Sequence, residues 1–216
     1  AGDGARVSIA APTEPKVHEA AAALREETGA EGISSPFDAR DPESIQAWRD
    51  RTVEAFGTVD GLVVNAGGPP PGQFDDFDDD DWQAAFELTL MSSVRMIRAV
   101  LPAMRAQGFG SILTVTSSSI KEPIDILLLS NVMRSGVVSL AKSLSQQLAS
   151  EKIRVNNLVP GSIDTDRLRS NITVQSKAAG ISFEEKWAQR SATIPWGRFG
   201  NVDEFGGAGA FLLSDA

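Results

Sequence analysis

The chain has 216 residues, is 42% hydrophobic and 23% charged, and carries a formal net charge of −9 with one His and neither Cys nor Tyr. That length suits one domain of ordinary core size. The negative balance argues against a nucleic-acid partner, the lack of Cys excludes disulfides and thiolate chemistry, and no apolar run approaches the ~20 residues of a membrane helix.

The N-terminal AGDGARVSIA has no signal-peptide plan, so the default compartment is the cytoplasm. Abundant Asp, with 14 Arg against 6 Lys, resembles the composition of proteins from high-salt cytoplasms.

Along the chain, RVSIA (6–10) reads as a short strand. Residues 14–30 are Ala-rich with apolar spacing near the helical period, and Gly29 can stop the helix. A second strand ends near Asp38. Residues 41–57 form the next helix, with Asp41 as N-cap and Pro42 at its first position. DGLVVNAGG (60–68) is an apolar strand running into a Gly turn. The acidic run Asp75 to Trp82 is a solvated loop and helix start, because carboxylates are favourable at a helix N-terminus. Residues 77–108 are long enough for a helix of many turns. SILTVTSS (111–118) is a strand, 130–151 a helix, IRVNNLVPG (153–161) the final strand, and 202–214 a short closing helix.

Strand–helix alternation predicts an α/β fold with a parallel sheet and helices on both faces. Its strands should be buried on both sides and continuously apolar. Ligands of such sheets bind beyond the carboxyl ends of the strands. Those ends are Ala10–Pro12, Phe37–Asp38, Asn65–Gly68, Thr116–Ser118 and Pro160–Thr165.

Four of these ends carry recognisable text. VVNAGG (63–68), ILTVTSS (112–118), IRVNNLVPGSIDTD (153–166) and FDARD (37–41), with the tail IPWGRFGNVDEFGGAGAFLLSDA, resemble in order the motifs of short-chain dehydrogenases/reductases. The resemblance implies a three-layer Rossmann-like fold and an NAD(P)-dependent reaction on a small carbonyl or alcohol, possibly a 3-oxoacyl thioester. It also implies a homodimer or homotetramer paired through the helices at 77–108 and 130–151. For the dinucleotide it implies Asp38 at the adenine amino group and Ala39 beside it by backbone contact. Asn65, Ala66 and Gly67 would sit at a close backbone approach, and Pro160, Gly161, Ile163 and Thr165 near the nicotinamide. One sheet would then present Asp38, Asn65, Ser117 and Thr165 along a common rim.

Two departures accompany the resemblance. The family's first strand and Gly-rich phosphate-binding turn have no counterpart, nor has its last strand. Since the first strand lies mid-sheet in the family, residues 1–216 are expected to be one Rossmann-like domain, the interior portion of a longer chain. The second departure concerns the catalytic residues. Ser117 stands where the family keeps its catalytic Ser, but Ser130 stands at the Tyr position, Arg134 at the Lys position and Leu90 at the relay Asn.

Ser117 can polarise a carbonyl. Arg134 can hold ribose hydroxyls and supply positive charge, but guanidinium stays protonated and cannot shuttle protons. Ser130 is a poor general acid. Lys121, four residues past Ser117, is an alternative proton donor, or else an exposed loop Lys. His18 reads as a surface residue of its helix. Ala11, Pro12 and Thr13 include no acid to repel a 2′-phosphate, so the lean is to NADP over NAD. Residues 170–197 fall where the family has its substrate-covering segment, and Trp187, Ile194 and Trp196 could line an apolar pocket. The competing readings are a catalytically impaired nucleotide-binding or scaffold protein, and a lyase or isomerase that needs no phenol.

Overall fold

The computed structural model describes residues 1–215. The element order is β1 (Val7–Ala11), α1 (Glu14–Thr28), β2 (Gly32–Pro36), α2 (Pro42–Phe56), β3 (Gly61–Val64), α3 (Asp79–Ala85), α4 (Ser92–Gln107), β4 (Gly110–Val115), α5 (Leu128–Gln147), β5 (Ile153–Leu158), α6 (Asp166–Ala179), α7 (Phe183–Ala192) and α8 (Val202–Leu213). Chain contacts divide it into two compact units, Ala1–Asn157 and Leu158–Ala216.

Local signals set most boundaries in the first unit. Pro42 opens α2, and the Asp41 carboxylate accepts from the Glu43 amide at 2.9 Å, satisfying one of the amides a helix start leaves unpaired. Gly29 and Gly57 end α1 and α2 in the left-handed region, φ 66° and 83°, where a Cβ is strained. Asp78 caps α3, with Asp81 reciprocating, so the acidic run does become a loop and a helix start.

The strands form two parallel sheets, β1–β2 and β3–β4–β5. This is the order that the resemblance implies once its first strand is left out. Helix α1 packs on β1 and β2, α2 on α4, α4 on β3 and β4, and α5 on β4. Ile45, Leu62, Val64, Met96, Ile97, Val100, Met104, Ile112, Ala141 and Ile153 form the main core.

Two expectations need correction. Strand β3 is not buried on both faces: Leu62 and Val64 are buried, whereas Val63 is 47% exposed. The apolar run marked a strand with one covered face. The expected long helix is interrupted by a π-helical turn at Phe86–Met91. The wider turn displaces backbone carbonyls from their usual amide partners, and nearby hydroxyls bond them. Ser93 Oγ donates to the Thr89 carbonyl at 2.7 Å, and Ser92 Oγ to that of Leu88 at 2.5 Å. Such turns are rare and recur at functional sites.

In the second unit, residues 170–197 are mostly helical (α6 and α7) rather than a loop. Ile163 and Gly200 form a parallel bridge. Gly200 accepts from the Asp164 amide at 2.8 Å and donates to the Ser162 carbonyl at 2.9 Å. Trp187 packs edge-on to Phe199 with ring centres 4.4 Å apart.

Gly110 begins β4 directly against Met104, and a Cβ there would lie 2.5 Å from Met104 Sδ and 2.9 Å from its Cβ. Met104 is fully buried and has little room to move. Gly110→Ala should therefore destabilise the protein by about 1–3 kcal/mol, measured by urea unfolding; a loss below about 0.5 kcal/mol would show that the α4–β4 junction can yield.

Candidate active site

Strands β3 and β4 pair in parallel with Val64 opposite Thr114. Their carboxyl ends therefore lie side by side, and the loops that follow, Asn65–Asp76 and Thr116–Leu127, leave the same edge. Gly72 and Leu127 form a parallel bridge, the Gly72 amide donates to the Ile126 carbonyl at 2.7 Å, and Gln73 Nε2 donates to Asp125 at 2.9 Å. A Cβ on Gly72 would sit 2.5 Å from the Phe77 ring, so this crossing requires glycine.

Arg134 reaches these strand ends from α5. Its Nε donates to Ser130 Oγ at 3.2 Å and its Nη1 to the Val115 carbonyl at 3.3 Å, at the last residue of β4. A Cβ on Gly68 would lie 3.5 Å from Nη2, so the absence of a side chain at Gly68 keeps the space before the guanidinium clear. Ser130 is 8% exposed. Ser117, two residues past Val115, is half-buried, and its Oγ accepts from the Ser119 amide at 3.2 Å. With one lone pair so used, the hydroxyl can still donate its own proton. The structure thus brings Ser117, Ser130 and Arg134 together with the loop of Asn65, Ala66 and Gly67.

Asn65 and Gly67 are exposed. Leu88, from the π turn, lies against the Gly67 backbone, 3.8 Å from where a Cβ would be. Leu90 packs on Gly136 of α5, so a Cβ there would lie 3.1 Å from it. Nothing in the residue order points to this turn shaping both the β3 loop and the helix bearing Ser130 and Arg134.

Asp38 is not a free carboxylate. Arg40 forks it, Nε to Oδ1 at 3.0 Å and Nη2 to Oδ2 at 2.8 Å, while the Arg40 amide also donates to Oδ1 at 2.9 Å. These hydrogen bonds, the side-chain ones first, hold its pKa below the usual Asp value. A carboxylate offers about four lone-pair sites, so one more donor can still be accepted. Neither Asp38 nor Ala39 caps α2; Asp41 does. A dinucleotide fits these groups in the first unit: an ionised acceptor at Asp38, small residues at a strand end, and a fixed cation behind Gly68.

In the second unit, Thr165 caps α6, its Oγ1 accepting from the Leu168 amide at 3.3 Å, and Ile163 is held by its bridge to Gly200. Pro160 and Gly161 precede them in the turn after β5. A cavity of about 480 Å³ is lined by Asp164, Trp187, Ser191 and Arg198–Val202. Trp187 lines it, but the expected Ile194 does not, and Asp164, Ser191, Arg198 and Asn201 make the lining polar as well as apolar. Nor does Trp196 line it; it is 75% exposed, with the Arg198 guanidinium 4.1 Å from its ring centre. Lys121 is exposed, and His18 is an exposed helix residue beside Ser34, with Nδ1 at 2.7 Å from Oγ.

Arg198 forks Glu204 at 3.0 and 2.7 Å, and the Asn201 amide donates to the same carboxylate at 2.7 Å. First the Arg198 side chain, then that amide, lowers the Glu204 pKa to about 2. A depressed carboxyl pKa adds stability that is complete above the unfolded value and is lost as pH falls towards the folded one. The melting-temperature gap between the wild type and Glu204→Gln should be constant at neutral pH, narrow below about pH 4.5 and close near pH 2. A gap independent of pH over that range would contradict the pairing.

Comparison with known proteins gives a consistent picture. The family described as enoyl-(acyl carrier protein) reductase matches residues 1–216. The 3-oxoacyl-[acyl-carrier-protein] reductase of Salmonella typhimurium is 33% identical over 189 residues, 87% of this chain and 72% of that protein. Among solved structures, an actinorhodin polyketide ketoreductase with NADPH is 30% identical with a TM-score of 0.91, covering 99% of this chain and 82% of that one. An NADPH-bound short-chain oxidoreductase from Pseudomonas aeruginosa, described as containing an atypical catalytic center, is 27% identical with a TM-score of 0.85 over 98% and 81%.

Proposed function

The chain belongs to the short-chain dehydrogenase/reductase family of NAD(P)-dependent oxidoreductases, and we propose that it reduces a small carbonyl compound through a centre in which Ser130 and Arg134 occupy the positions of the family's Tyr and Lys. The observation that carries this reading is the Arg134 guanidinium, fixed between Ser130 Oγ and the Val115 carbonyl beside Ser117. The bound dinucleotide supplies the hydride; the protein has to bind it, orient the carbonyl and manage the charge that develops on oxygen.

Each part falls to named groups. Asp38 accepts from the adenine amino group and Ala39 lines it with backbone. Asn65, Ala66 and Gly67 let the nucleotide approach the chain closely. For the nicotinamide end, the resemblance assigns Pro160, Gly161, Ile163 and Thr165 in the second unit. Arg134 binds the nicotinamide ribose hydroxyls and places a permanent positive charge near the substrate oxygen. Ser117 donates its hydroxyl proton as a hydrogen bond to that oxygen, the type of contact that strengthens as negative charge accumulates there.

Proton delivery then differs from the family pattern. The chain has no Tyr, and guanidinium does not release a proton at working pH. The new alkoxide takes its proton from water through the Ser117 and Ser130 hydroxyls. A missing general acid typically costs ~10²–10⁴-fold, so turnover is slow by family standards. The neutral Ala11–Thr13 segment and the NADPH named with solved relatives support NADPH as the donor. The 3-oxoacyl substrate of the Salmonella relative supports a 3-oxoacyl thioester as the first compound to test.

The test is nucleotide binding by NADPH fluorescence, followed by NADPH consumption with a 3-oxobutyryl thioester. Arg134→Met and Ser117→Ala should each lower kcat about 10²-fold or more, and Arg134→Lys should recover part of the loss. Neither Ser nor Arg titrates between about pH 6 and 9, so log kcat should be flat there. A break in that range removed by Lys121→Met would assign the proton to Lys121 instead. Tight NADPH binding with no turnover of any ketone would leave the scaffold reading in its place.

A further inference from the structure

The loop that follows β2 is tied to the long helix by a side chain that lies outside every motif, that of Arg95. Arg95 stands on α4, one turn beyond the π-helical segment. Its Nη1 donates to the Arg40 carbonyl at 3.0 Å and to Glu87 Oε2 at 2.6 Å. Glu87 lies on the π turn, and its other oxygen accepts from Gln83 Nε2 at 3.2 Å. The Arg95 and Glu87 side chains are only 21% and 31% exposed. A charge-assisted bond so sheltered is stronger than an exposed surface pair.

The Phe37 amide also ties the start of the loop to β1, donating to the Ala11 carbonyl at 3.1 Å, and the loop's other hydrogen bonds stay local. Arg40 forks Asp38, the Asp41 amide donates to the Asp38 carbonyl, and the Asp38 amide donates to Ser44 Oγ. These shape the loop internally but do not fix where it stands against the long helix. Arg95 does, by joining the Arg40 carbonyl to the π turn whose Leu88 covers Gly67.

We propose that Arg95, with Glu87 as its anchor, is a positioning residue for the adenosine half of the dinucleotide: it acts through the Arg40 backbone to set Asp38 and Ala39 against the Asn65–Gly67 loop. The inference rests on the reading of Asp38 and Ala39 as adenine contacts. A loop free to move must be ordered on binding, which weakens affinity for the half it contacts. The reacting half is held by other groups and should be unaffected.

Calorimetric titration of the intact protein with NADPH and with adenosine 2′,5′-bisphosphate, the adenosine half of NADPH, tests this directly. Arg95→Met should raise both dissociation constants about five- to fiftyfold, a range typical of coupled sites. Glu87→Gln should give a smaller rise in the same direction. The KM for reduced nicotinamide mononucleotide, which has no adenosine, should stay unchanged, as should kcat at saturating NADPH. Should Arg95→Met fail to fold, Arg95→Lys, which keeps the charge on a shorter side chain that falls short of the Arg40 carbonyl, should show the same selective loss. Unchanged dissociation constants in a folded variant, or equal losses with the mononucleotide and NADPH, would overturn the proposal, the latter by showing a general structural role. Wild-type protein that binds no NADPH would instead overturn the functional reading beneath it.

Discussion

Parallel pairing of Gly61–Val64 with Ser111–Thr114 is the constraint on which the site depends. Strands running the same way must both release their chains at the same edge, so the two following loops meet there. A one-residue slip would turn every side chain to the other face. It would shift the Asn65 loop along β4 and move Val115, whose carbonyl holds Arg134. Asn157 reinforces the neighbouring pair: the Thr114 and Thr116 hydroxyls both donate to its side-chain oxygen, at 2.8 and 3.0 Å. Polar side chains with so many partners are costly to move, so this end of the sheet is rigid, as a site that positions reactants requires.

The charge at the site is equally fixed. A lysine would supply a mobile ammonium with three rotatable donors, whereas the Arg134 guanidinium is planar, permanently charged and held by several partners, Ser130 Oγ and the Val115 carbonyl among them. That favours electrostatic stabilisation over proton transfer. The neighbouring hydroxyls fit this division. Ser117 Oγ accepts from the Ser119 amide, and Ser130 is buried and accepts from Arg134. The Ser119 hydroxyl is buried with no partner among the described residues. An unpaired buried hydroxyl normally costs free energy, and strain of that kind gathers at functional sites.

The π turn connects the parts. An ordinary helix through Phe86–Met91 would present a different set of side chains to β3 and α5. The extra residue per turn sets Leu88 on Gly67, Leu90 on Gly136 and Glu87 towards Arg95. One local irregularity thereby touches the β3 loop, the helix carrying Arg134 and, through Arg95, the loop carrying Asp38. The hydroxyls of Ser92 and Ser93 bond carbonyls of the same turn, which offsets the cost of leaving the regular helical ladder.

Element order and parallel sense were legible in the sequence because each rests on local chemistry; the strand ends were legible only roughly, since β2, β4 and β5 stop at Pro36, Val115 and Leu158 rather than near 38, 118 and 161. Pro42 and Asp41 start a helix, Gly29 and Gly57 end two others, and apolar runs bounded by turn residues make strands. The positions of Ser117, Ser130 and Arg134 were legible by spacing from the end of β4. The π turn was not, since Phe86–Met91 has the composition of an ordinary helix and only packing against Gly67 and Gly136 makes the wider turn worthwhile. Nor was the occupation of Asp38 by Arg40, or the bond from Arg95 to a carbonyl 55 residues away. The amino-acid sequence by itself determined where the chain turns and which groups stand at the strand ends. Only the tertiary structure decided which of those groups already have partners, because a hydrogen bond between distant residues depends on distance and direction in space, and residue order carries neither.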